Sequence, residues 1–142
     1  MALSEFYEST IESVQVHFGF DNFQDSPDEI TKVLGLEPAE VRKKGQIHIT
    51  GSGKEIENKQ NLWAISSSSK SKDVNVHLRE LISLLKGKSS LIKSEWNAGF
   101  SVVWKGNYLY AGSGPFYESD VIQGIAELKA ELWQDIYQID EK

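Results

Sequence analysis

One short segment, residues 25–38, constrains the fold of this chain more than any other, because it marks both ends of a helix. Ser26 is placed to cap the helix N-terminus, and Pro27 follows at the first helical position, where a missing N–H costs nothing. Gly35 stands where a left-handed residue ends a helix, and Pro38 prevents continuation. Between these signals, three apolar residues recur at helical spacing: Ile30, Val33 and Leu34. The segment predicts a short amphipathic helix that packs on a sheet.

The remaining chain predicts several short strands. Five segments predict strands, at residues 14–20, 46–50, 62–66, 100–104 and 108–110, and in the first two of them apolar residues alternate with polar ones. Residues 51–59 predict a polar hairpin or loop, and Lys105-Gly106-Asn107 predicts a turn. The segment Leu62–Ser66 has apolar residues on both faces, which is typical of an interior strand covered on both sides or of a strand at a protein interface.

Two further helices are expected. The first begins at Asp73 and has one apolar face, formed by Val74, Leu78, Leu81, Ile82 and Leu85. His77 lies on the flank of this face, and we expect it to be exposed. The second begins at Glu118 or Ser119 and directs four apolar residues inward: Val121, Ile122, Ile125 and Leu128.

The C-terminal segment fits two structures. The spacing of Leu128, Leu132 and Ile136 would extend the last helix to Tyr137. A strand is favoured by alternating aromatic and β-branched residues, namely Trp133, Tyr137 and Ile139. We predict a helix to about Ala130, followed by a strand over residues 131–139.

The order of these motifs resembles a bacterial family, the domain of unknown function 4279. The run Ser-Pro-Asp-Glu-Ile-Thr-x-x-Leu-Gly-x-x-Pro is similar to the family's opening helix. The later motifs are Lys44-Gly45, Trp63 followed by Ser66, a helix around Leu78 and Leu81, and Asp135-Ile136-Tyr137. The resemblance extends from about Val14 to Tyr137 and implies a closing strand. The family brings no established activity, so it implies no catalytic residues.

Length and pattern together predict the fold class. A chain of 142 residues forms one domain, here with a core at about residues 13–139 and a peripheral segment at residues 1–12. The alternation of strands and helices lacks a regular parallel pattern. We therefore predict an α+β fold, in which a single layered sheet carries helices mainly on one face and is ferredoxin-like in character.

Composition excludes several classes of function. The formal net charge of −6 argues against nucleic acid and against an anionic membrane surface, and it permits a basic protein partner. The chain has no cysteine, which removes thiol catalysis and cysteine-based zinc sites. Three histidines, His17, His48 and His77, show no metal-ligand spacing. We expect a soluble cytoplasmic protein without a metal or cofactor.

Two groups of residues are candidates for binding. The turn formed by Arg42, Lys43, Lys44 and Gly45 is either a solvated basic turn or an anion site. Aromatic residues in the predicted strands form either a packed core or a face that binds a partner; the candidates are Trp63, Trp104, Tyr108 and Tyr110.

Two functions follow from these alternatives. The favoured one is a non-catalytic protein-interaction domain, for which a bacterial immunity protein that masks a toxin is a concrete form. The alternative is a domain that binds a small anion or metabolite, or an enzyme, using the basic turn at Arg42–Gly45.

Overall fold

A computed structural model describes residues 11–106 and 116–138 of the protein. The strands in these residues are β1 (Ile11–Asp21), β2 (Glu40–Arg42), β3 (Ile47–Ile49), β4 (Glu55–Glu57), β5 (Leu62–Ser66), β6 (Ala98–Gly106) and β7 (Glu131–Gln138). The α-helices are α1 (Pro27–Leu34), α2 (Val74–Leu84) and α3 (Ser119–Glu127). Two short 3-10 helices, Ser89–Leu91 and Ser94–Trp96, lie between α2 and β6.

The ends of α1 are formed as the sequence predicts. The Ser26 hydroxyl accepts a hydrogen bond from the backbone N–H of Asp28 at 3.3 Å. Gly35 adopts a left-handed conformation with φ of 67°, and its N–H binds the carbonyl of Thr31. The Thr31 hydroxyl also accepts a hydrogen bond from the Trp63 indole at 2.9 Å, which ties the helix to β5.

The main sheet has five strands in the order β2–β5–β1–β6–β7. The first four strands are arranged as in a ferredoxin-like fold: β1 and β2 are separated by β5, which is antiparallel to both, and β6 is antiparallel to β1 on its other side. After α3, β7 adds a fifth strand parallel to β6. The hairpin of β3 and β4 forms a separate two-stranded sheet. The predicted α+β class is confirmed.

The hydrophobic core lies on one face of this sheet. Alternate residues of β1, β5 and β6 are buried beneath the helices: Val14, Val16, Phe18, Phe20, Trp63, Ile65, Phe100, Val102 and Trp104. The opposite face, which we call the uncovered face, carries no α-helix in the described residues. Leu62 and Ala64 point to that face and are half-buried, so β5 is interior to the sheet but covered by helices on one side.

The structure confirms some local predictions and corrects others. The predicted C-terminal strand is present as β7, and α3 ends at Glu127. The prediction that His77 is exposed is wrong, because the loop after β5 folds over it and leaves it 2% exposed. Ile122 is exposed rather than inward. The predicted turn at Lys105 and Gly106 is part of β6, which continues through Gly106. The predicted strand at residues 108–110 lies outside the described residues.

Candidate functional site

The most exposed apolar strand of the sheet is β7. Among the described strands it pairs only with β6, so the backbone groups of its other edge have no strand partner within residues 11–106 and 116–138. Trp133 is 68% exposed and Tyr137 58%, and both side chains lie on the uncovered face opposite Ser101 and Lys105 of β6. Leu132 and Ile136 lie on the other face and are 37% and 51% exposed. The strand therefore presents apolar side chains on both of its faces.

The opposite edge of the sheet, β2, has features that prevent a sheet edge from pairing with another chain. The strand β2 has only three residues, Glu40, Val41 and Arg42, and two of them are charged. Short, charged edge strands resist pairing with another chain. The strand β7 has eight residues and contains neither lysine nor proline. The two edges of the sheet thus differ in length, and of the two only β7 exposes several large apolar side chains.

A groove of about 1150 Å³ runs over the uncovered face beside β7. Small residues of adjacent strands, Gly19, Ala64 and Gly99, lie among its lining. A Cβ at Gly19 would lie 2.4 Å from the Trp63 carbonyl oxygen, so the close approach of β1 and β5 requires glycine there. At Gly99 the nearest atom to such a Cβ, the Glu131 carbonyl oxygen, is 3.8 Å away. Strand packing therefore explains Gly19, whereas the gap at Gly99 only deepens the groove.

The charge around the groove is mainly negative. Its acidic residues are Asp21, Glu40, Glu127, Glu131 and Asp135, and its basic residues are Lys93 and Lys129. The Lys93 ammonium lies 3.1 Å from Asp25, which also accepts a hydrogen bond from the Trp96 indole. Both hydrogen bonds lower the pKa of Asp25, and the one from Trp96 has the larger effect. Asp25 in turn raises the pKa of Lys93. The Lys93 charge is thereby partly offset, and the groove favours a basic partner.

The sequence comparison decides the family. The family model of a domain of unknown function, DUF4279, matches residues 12–139, which is most of the chain. The chain belongs to the DUF4279 family. The resemblance drawn from the sequence motifs is thereby confirmed, and the DUF4279 description assigns no activity. No curated protein and no solved structure matches the chain significantly.

The described part of this DUF4279 domain contains neither a membrane-spanning helix nor a metal-binding cluster. Its helices, over residues 11–106 and 116–138, are too short or too polar to cross a membrane. Within the same residues, no group of three histidine, cysteine or acidic side chains is arranged to hold a metal ion.

The predicted basic turn of this DUF4279 domain is largely engaged in ion pairs. The Arg42 guanidinium lies 2.9 Å from Glu40 and donates to His48 at 3.2 Å. The Lys43 ammonium lies 3.0 Å from Asp28. Lys44 makes no ion pair with a described residue, and its backbone N–H binds the side chain of Asn61. Anion binding at this turn stays a prediction, and an anion there would compete with Glu40 and Asp28.

The predicted aromatic residues are located in the core or outside the described residues. Trp63 and Trp104 are fully buried. Each indole N–H has a side-chain acceptor, and for Trp104 it is Gln134 at 3.0 Å. Tyr108 and Tyr110 lie outside the described residues. Both tryptophans therefore belong to the packed core and not to a face that is free to bind a partner.

The candidate site that the sequence analysis missed is on β7. Trp133 and Tyr137 were recognised as strand residues, but the exposed edge depends on which strand ends the sheet. Sequence alternation gives the face of each side chain and does not give the order of the strands. The available signal was an apolar C-terminal strand without a protective lysine or proline.

Proposed function

We propose that this DUF4279 domain is a protein-interaction domain, and that an extended segment of its partner adds as a sixth strand along β7. The observation that carries the proposal is the exposure of four large apolar side chains along a strand edge that has no partner strand in the described part of the chain: Leu132, Trp133, Ile136 and Tyr137. In strand addition, main-chain hydrogen bonds provide affinity, and side chains on alternating positions provide specificity.

The chemistry of the partner follows from the side chains around the edge. Trp133 and Tyr137 are aromatic residues of the kind that anchor protein interfaces. Asp135 lies between them and Glu131 precedes Trp133, both on the same face and beside the acidic groove. We infer an extended partner segment that alternates apolar and basic residues. The chain's net charge of −6 would accelerate encounter with such a partner.

The setting of this interaction is part of the proposal. The chain has no cysteine, which fits a reducing compartment, and we place the interaction in the cytoplasm. A bacterial immunity protein that masks a toxin is one form that such an interaction takes.

The test compares two pairs of exposed apolar residues. The first variant combines Trp133→Ala with Tyr137→Ala on β7. The matched control combines Ile47→Ala with Ile49→Ala on β3, where the side chains are 64% and 70% exposed. Tagged wild type and both variants are used to capture partners from source cells, and binding to the captured protein is then measured by titration calorimetry.

The expected result is selective loss of binding in the β7 variant. Truncation of an anchoring aromatic residue costs about 2 kcal/mol or more, which raises Kd about 30-fold. The β3 control should bind like wild type, and added salt should weaken wild-type binding. Equal affinity of the two variants for a stoichiometric partner would refute the assignment to β7.

A further inference from the structure

A second cluster, far from β7 in the sheet order, joins a serine hydroxyl to a buried histidine. The Ser67 hydroxyl oxygen lies 2.5 Å from Nδ1 of His77, and Nε2 of His77 lies 2.7 Å from the Ser71 carbonyl oxygen. A carbonyl oxygen can only accept, so Nε2 of the neutral imidazole carries the proton. Nδ1 is then the acceptor for the Ser67 hydroxyl. This is the tautomer that a general base requires.

The surrounding residues hold this pair in place. His77 is 2% exposed and is fixed on α2, while Ser67 follows the last residue of β5. Glu80, one turn further along α2, accepts a hydrogen bond from the Ser68 N–H at 2.6 Å and so positions the loop that carries Ser67.

The pair opens into a cavity with the other groups that acyl transfer needs. The cavity has a volume of about 520 Å³, and its lining includes Ser67, His77, Lys70 and Lys72. The backbone N–H groups of Ser69 and Lys70 make no hydrogen bond to any described residue. They are therefore available to stabilise an oxyanion beside Ser67. The two lysine ammonium groups favour an acyl group that is itself anionic.

We propose that Ser67 is a nucleophile activated by His77, and that this cavity hydrolyses small carboxylic esters. Ser67 Oγ bonds to the acyl carbon while its proton passes to Nδ1 of His77. The ester C–O bond then breaks, and the leaving alcohol takes that proton. Water hydrolyses the acyl-serine in the same way, releasing the carboxylic acid and restoring Ser67. This activity is independent of the proposed interaction at β7.

The neighbouring residue provides an internal control. The Ser66 hydroxyl lies 2.7 Å from Nδ1 of His17, but no described residue binds Nε2 of His17. Ser66 thus has a histidine partner whose tautomer is not fixed by an acceptor. A reagent that selects the activated serine should modify Ser67 and leave Ser66 unmodified.

The experiment uses the full chain and an alkyl fluorophosphonate. Attack by Ser67 on phosphorus forms the O–P bond and expels fluoride, while His77 takes the serine proton. The adduct is located by peptide mapping in wild type, S67A, S66A and wild type unfolded in urea. We expect labelling at Ser67 in folded wild type and S66A, about 100-fold faster than any labelling of S67A or of the unfolded chain. His77→Gln should lose the labelling while keeping the circular dichroism of wild type.

The opposite results would overturn the proposal. An absence of adduct at Ser67, under conditions that fully label a reference serine esterase, excludes an activated nucleophile. Labelling that is equal in folded and unfolded chains excludes a role for the fold. In a second measurement, folded wild type should hydrolyse 4-nitrophenyl succinate faster than 4-nitrophenyl acetate, and the reverse order would overturn the assigned preference for an anionic acyl group.

Discussion

Two glycines that face each other across β1 and β6 give a sharp test of the packing argument. Gly19 and Gly99 are partners in the register of these strands and lie on the uncovered face. At Gly19 an added Cβ would lie 2.4 Å from the Trp63 carbonyl oxygen and 3.0 Å from the Ala64 Cβ. A carbon and an oxygen in contact are about 3.3–3.6 Å apart, so the overlap is roughly 1 Å and the obstacle is strand backbone. At Gly99 the nearest atom is 3.8 Å away, which is ordinary contact.

The two alanine variants should therefore change stability in opposite directions. Overpacking costs about 1–3 kcal/mol, so Gly19→Ala should lower the free energy of unfolding by that amount. Gly99→Ala meets no obstacle and reduces the freedom of the unfolded chain, so it should stabilise by about 0.4–1 kcal/mol. Urea unfolding followed by tryptophan fluorescence measures both. The reasoning fails if Gly19→Ala is as stable as Gly99→Ala.

Three further predictions concern single side chains. Asp73→Ala removes the N-terminal cap of α2, in which the carboxylate accepts a hydrogen bond from the Asn75 N–H at 2.9 Å. Thermal unfolding should show that the free energy of unfolding falls by about 1 kcal/mol. Unchanged stability would contradict the role of Asp73 as a cap. The pKa of Asp25 is lowered, so the stabilising contribution of its carboxylate is present above pH 4 and is lost as pH falls below about 3.8. Between pH 6 and pH 3, the urea midpoint of Asp25→Asn should therefore fall less than that of wild type. An equal fall in both proteins would refute this. Burial raises the pKa of Tyr117 to about 12, so the contribution of its neutral phenol to stability is lost as pH rises above about 10. Between pH 9 and pH 11, Tyr117→Phe should therefore lose less stability than wild type. A parallel loss in both proteins would contradict the assignment.

Local signals in the sequence were sufficient for both ends of α1 and for the start of α2. Ser26, Gly35 and Asp73 act on backbone groups within a few residues of themselves, so their effect does not depend on the rest of the fold. The choice of a strand after Ala130 is also confirmed over residues 131–138, because exposed aromatic residues fit a pleated edge better than a helix.

Long-range pairing limited the other predictions. His77 lies on the flank of the apolar face of α2, which predicts exposure, and the loop that buries it comes from the end of β5. The basic turn fits either a solvated turn or an anion site, and its sequence does not indicate the ion pair of Lys43 with Asp28, which is 15 residues away. Trp63 and Trp104 could not be assigned to core or surface until the covered face of the sheet was known. In each case the deciding contact joins residues of different structural elements, which the local sequence pattern does not relate.

The strand order of the main sheet has a consequence for biosynthesis and folding. Of the described strands, the central strand β1 is synthesised first, yet both of its partners follow much later, with His17 paired to Ser66 on one side and to Ser101 on the other. Such pairs close long loops, whose entropic cost must be met before the contacts form, and folding slows accordingly. While the ribosome is still producing the second half of the chain, β1 lacks a neighbour on the β6 side. The apolar residues of β1 are then covered by β5 and α2 alone. We therefore expect that half of the sheet to form the folding nucleus.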